Sequence, residues 1–100
     1  MEEMRDRIVA AAKRQRNKCA EFLRELIETP SESQGEEQIA IMVRQRMLDL
    51  EYDAVDVDRF GNVIGRIGDG PKKIIYDAHM DTTGIGDRSS WRFDPYRGDF

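Results

Sequence analysis

An α/β architecture is predicted by three features of this 100-residue sequence. Two long stretches place apolar residues every three or four positions. Two short alternating runs flank a glycine-containing turn. One stretch, residues 73–82, begins as an apolar, β-branched run and ends in polar residues. Together they predict two N-terminal helices packed on the first strands of a mixed sheet.

The first helix is expected over residues 2–28. Ile8, Val9, Ala12, Cys19, Phe22, Leu23, Leu26 and Ile27 fall at helical steps and define one face. Arg5, Arg7, Lys13, Arg14, Arg16 and Lys18 crowd its first half, where the apolar face is thin and alanine-rich, so this half reads as a solvated surface. Pro30 cannot continue the helix, and it biases Thr29 toward extended backbone. Residues 31–35 are polar and read as a loop. Ser33 followed by Glu36 fits a capping box that opens a second helix over residues 36–50. Its face carries Ile39, Met42, Val43, Met47 and Leu50, with the methionines as core filler.

Residues 52–58 alternate, with Val55 and Val57 against Asp56 and Asp58, as in a half-buried strand. Arg59-Phe60-Gly61-Asn62 has turn chemistry, and residues 63–67 resume a strand, predicting an antiparallel hairpin. Gly68-Asp69-Gly70-Pro71 reads as a tight turn. It lacks the spacing of a phosphate-binding loop, and no Lys-Ser or Lys-Thr follows it. The run 73–78 is expected to be a buried strand. Residues 82–87, with two glycines, form a loop at its end. Trp91, Phe93, Tyr96 and Phe100 then crowd the last ten residues, a density that suggests packing or a pocket wall.

Charged residues make up 36% of the chain and apolar ones 39%, the balance of a soluble protein. A net charge of −4 with interspersed signs argues against nucleic-acid binding. No apolar run is long enough to span a bilayer, and no membrane partner is expected. The sequence opens Met1-Glu2-Glu3-Met4-Arg5-Asp6, without the apolar core of a secretion signal. The single cysteine, Cys19, has no internal disulfide partner and reads as a small core residue. A cytoplasmic location is the expectation.

The chemistry concentrates in Asp77-Ala78-His79-Met80-Asp81-Thr82. His79 is the sole histidine, and Asp81 lies two residues on, which in extended backbone puts both on one face. A carboxylate bonded to one ring nitrogen fixes the imidazole tautomer and frees the other nitrogen for a metal. Asp77 is also two residues from His79, and His-x-Asp alone equally describes a structural ion pair.

Taken with Thr29-Pro30-Ser31-Glu32-Ser33, Phe60-Gly61-Asn62-Val63-Ile64, Ile75-Tyr76-Asp77-Ala78-His79-Met80-Asp81-Thr82 and Trp91-x-x-Asp94-Pro95-Tyr96, the whole chain resembles a zinc-hydrolase family. The resemblance is to the start of the catalytic domain of the aminoacylases, carboxypeptidases and desuccinylases. Gly84–Asp87 and the Trp91 segment look in particular like a bacterial branch of peptidases and selenium-metabolism-linked hydrolases. The resemblance implies that His79 is a metal ligand and that Asp81 orients it and counts as catalytic. It implies two zinc ions in a complete site, or cobalt or manganese, and hydrolysis of an amide bond in a small peptide or N-acyl amino acid. It also implies a homodimer for the full-length form. The family's bridging aspartate, its Glu-Glu pair and its later ligands find no match by Phe100, so residues 1–100 are expected to be an N-terminal fragment, inactive alone. The rival expectation is a non-catalytic remnant that acts as an interaction module through an incomplete sheet edge.

Overall fold

The computed structural model describes residues 2–29 and 36–98. It contains three helices, α1 (Glu2–Arg14), α2 (Arg16–Ile27) and α3 (Glu37–Asp49), and two strands, β1 (Ala54–Val57) and β2 (Val63–Arg66), with a single 3-10 turn at Arg88–Ser90. The chain is thus a small α/β arrangement. It divides into two compact units, one of residues 1–28 and 87–100, the other of residues 29–86.

In the first unit the expected single helix is two. The break falls at Gln15, whose N–H bonds to the Ala12 carbonyl three residues back, at 3.1 Å, tightening the turn. The sequence supplies a reason. Lys13, Arg14, Arg16 and Lys18 place like charges along one stretch, including the Arg14–Lys18 spacing that weakens a helix. Cys19, expected in the core, is exposed. The C-terminal segment of this unit is held by Arg24, whose Nε donates to the Gly98 carbonyl at 3.0 Å. Trp91 and Phe93 meet edge to face with centroids 5.7 Å apart. Arg88 binds Asp94 at 2.8 Å and lies over the Tyr96 ring. Asp87 caps the 3-10 turn by accepting from the Ser89 N–H and hydroxyl.

In the second unit α3 packs on both strands. Ile39, from its inward face, is the one buried apolar residue among those described. The proposed capping partner Ser33 lies outside the described residues, and Glu36 occupies the cap position without a side-chain cap bond. The helix ends in a Schellman arrangement, with Tyr52 N–H to Met47 O and Glu51 N–H to Leu48 O at 3.1 and 3.0 Å. Glu51 carries the left-handed conformation, φ 60°, that glycine usually takes at this position. Glu51→Gly is therefore expected to raise stability by about 1 kcal/mol, read as a higher urea midpoint.

β1 and β2 form the expected antiparallel hairpin, pairing Ala54 with Arg66, Val55 with Gly65, Asp56 with Ile64 and Val57 with Val63. Its turn is organised by Asp58. One carboxylate oxygen accepts from the Phe60 and Asn62 N–H groups, the other from the Asn62 side-chain amide, each at 2.9 Å. Gly61, at φ 87°, allows the chain to reverse there. The Asn62 amide, followed by its backbone N–H, holds the Asp58 carboxyl below its ordinary value of 3.8. A lowered folded pKa means that this contribution is fully present above the unfolded value. It is lost as pH falls through the lower folded value. Asp58→Asn is expected to flatten the acid limb of the urea midpoint below about pH 4.

Among the described residues the sheet comprises two antiparallel strands, the part of the expected α/β arrangement that this chain shows. Residues 73–78, expected as a buried strand, have no regular secondary structure. Ile74, Ile75 and Tyr76 are 80, 86 and 92% exposed. An apolar strand that is buried on both faces needs a sheet neighbour and a covering layer. The described residues supply neither for this run.

Candidate functional site

His79 and Asp81 follow directly on that exposed run, so the ring sits beyond a segment without regular secondary structure and not at the tip of a formed strand. The structure does bring the two together. His79 Nδ1 lies 2.9 Å from the Asp81 main-chain oxygen and 3.3 Å from its carboxylate Oδ1. A carbonyl oxygen only accepts, so the shorter contact requires a proton on Nδ1. In the neutral ring that leaves the lone pair on Nε2. The His79 side chain is 84% exposed and that of Asp81 45%.

Two oxygens of one residue thus share the work expected of a carboxylate alone. The main-chain oxygen fixes the tautomer, and the carboxylate adds negative charge beside the ring, which favours donation from Nε2. The spacing of His79 and Asp81 announces the carboxylate. The main-chain acceptor depends on backbone dihedrals that residue types do not show.

As a single nitrogen donor this arrangement fits a metal. A catalytic zinc takes three protein ligands and leaves a fourth position open. Among the described residues no group of three His, Cys, Asp or Glu side chains is placed to hold an ion. His79 therefore fits as one ligand of a centre, and the described residues do not fit as the whole of one.

No family model matches the chain, and no solved structure matches it. Over 91 residues it is 41% identical to the uncharacterized protein YgeY of Escherichia coli, covering 91% of this chain and 23% of YgeY. Over 84 residues it is 27% identical to a succinyl-diaminopimelate desuccinylase of Methylocella silvestris, covering 81% of this chain and 22% of the desuccinylase. No helix among the described residues is long and apolar enough to cross a membrane. The chain spans about a quarter of the length of these relatives, and its likeness to an enzyme of named activity is a distant one to a desuccinylase.

Proposed function

We propose that this chain is the N-terminal part of the catalytic domain of a metal-dependent hydrolase, acting on amide bonds of small peptides or N-acyl amino acids. In this reading His79 gives Nε2 to a zinc ion and Asp81 orients the ring. The observation that carries it is the Nδ1 contact with Asp81, which leaves an exposed donor nitrogen on a fixed tautomer. The desuccinylase likeness supports the reaction class. The bare run Ile74–Tyr76 supports the fragment, because such a segment is at home inside a larger sheet.

A divalent metal bound at His79 would supply Lewis-acid polarisation of the amide carbonyl. What this chain contributes is narrower. His79 offers one donor. Asp81 holds the proton on Nδ1 and keeps the ring from turning away. The other ligands and the general base come from residues beyond Phe100, and the complete enzyme is a cytoplasmic homodimer.

Calorimetric titration of zinc tests the proposal. The 100-residue chain is expected to bind weakly and to show no amidase activity, and the full-length protein to bind tightly. Nanomolar zinc affinity in the short chain that disappears in His79→Ala would mean that the ligand count is wrong. Unchanged zinc content in full-length His79→Ala would reduce His79 and Asp81 to an ordinary surface pair.

The same bare run favours a second reading, a non-catalytic module that captures a strand of another chain along residues 73–78. Association that is lost on Ile75→Lys, with no zinc binding in any length of the protein, would favour it.

A further inference from the structure

The charge along this chain is segregated in two places. Residues 5–18 contain six basic side chains and one acidic one, Asp6. Residues 49–58 contain five acidic side chains, Asp49, Glu51, Asp53, Asp56 and Asp58, and no basic one. Each charged stretch also presents exposed apolar side chains. On α1, Met4, Ile8 and Ala11 fall at steps of four and three and share one side of the helix. They line a shallow groove together with Arg7 and Arg14. Met4 and Ile8 are more than half exposed. Asp6 lies on the opposite side by helical spacing, and the charged side chains that line the groove are both arginines, with Glu3 one turn before Arg7. In the acidic stretch Leu50 and Val57 are exposed, and so is Leu48 just before it. Two of its acids are held in place by local bonds: Asp53 accepts from the Gly68 N–H at 2.6 Å, and Asp58 organises the hairpin turn.

We infer that the basic α1 groove of one copy docks on the acidic α3–β1 segment of a second copy. Apolar side chains on each surface meet, and opposite charges border them. Each chain carries one surface of each kind, so two copies can be joined by one such contact or by two reciprocal ones. A polyanion such as nucleic acid or an anionic bilayer would also attract residues 5–18. Both would be repelled by residues 49–58 and by the net charge of −4. A second copy brings the matching acidic surface with it.

Sedimentation equilibrium of the full chain tests this, together with two variants, Arg7→Glu/Arg14→Glu and Glu51→Lys/Asp53→Lys/Asp56→Lys. All substituted side chains are exposed, and helical circular dichroism checks that each variant is folded. The unmodified chain is expected to exceed the mass of one copy at low salt. It should return to one copy near 1 M salt, where the screening length is about 3 Å. Each variant alone is expected to associate at least about a hundredfold more weakly, because like charges then face each other. An equimolar mixture of the two is expected to associate again, since it restores opposite signs. A chain that stays single at low salt overturns the inference. So does a folded pair of variants whose mixture stays single. Association that persists in both variants overturns it too, and assigns the contact to the exposed run 73–78. Capture of anionic vesicles by the unmodified chain without self-association would move the groove to a lipid partner and equally overturn it.

Discussion

Asp81→Asn in the full-length protein is expected to weaken zinc binding by about tenfold, the lower end of the range for an outer partner of a metal-binding histidine. The geometry sets that size. The contact from Nδ1 to the Asp81 main-chain oxygen, 2.9 Å, survives the substitution, so the tautomer is kept. Only the carboxylate at 3.3 Å loses its charge. His79→Ala removes the donor itself and is expected to abolish zinc binding at this ligand. The metal-free protein should melt at nearly the same temperature with and without His79→Ala, because that side chain is 84% exposed. Zinc titration and thermal unfolding, measured on the same samples, separate a metal-orienting role from a structural one. A melting point that falls with the affinity would assign the pair to folding instead.

Gly65→Ala is expected to cost about 1–3 kcal/mol of stability, the range for forcing an added methyl into a filled space. A Cβ at Gly65 would stand 2.6 Å from Met47 Sδ and 2.6 and 2.8 Å from two carbons of the Tyr52 ring. Met47 is unbranched and can move. Tyr52 has less freedom, since its backbone N–H closes the end of α3 on Met47 O. The clash therefore falls where the helix terminus meets the hairpin. Met47→Ala in the Gly65→Ala background is expected to relieve only part of the effect. Urea unfolding reads both variants, and a Gly65→Ala change under about 0.5 kcal/mol would be that of an ordinary surface position, showing that α3 does not seat on β2 there.

Local pattern was the most legible part of this chain. The second helix was readable over residues 36–50 and is found at Glu37–Asp49. The hairpin was readable from Val55, Val57, Val63 and Ile64 around a Gly-Asn turn. Each of these rests on neighbours a few residues apart. The interruption at Gln15 was harder to see, because periodicity of Ile8, Ala12 and Cys19 runs through it while like charges and a tightened turn act against it. The left-handed Glu51 had no glycine to announce it. The run 73–78 departs from its pattern for a different reason. Its composition states what it can become, but a strand exists only when another strand lies beside it, and that information is not local. At the site, residue types gave the His79–Asp81 pairing. The nearer oxygen proved to belong to the backbone.

The exposed trio Ile74, Ile75 and Tyr76 is bracketed by Lys72 and Lys73 on one side and Asp77 on the other. Short β-prone segments left bare are prone to stack into fibrils, and charges at their margins act as gatekeepers against it. The lysine pair and the aspartate make solubility of the bare segment depend on two or three ionic groups. Lys72→Ala/Lys73→Ala should consequently turn a tolerable stretch of chain into an amyloid seed, visible as thioflavin fluorescence on standing.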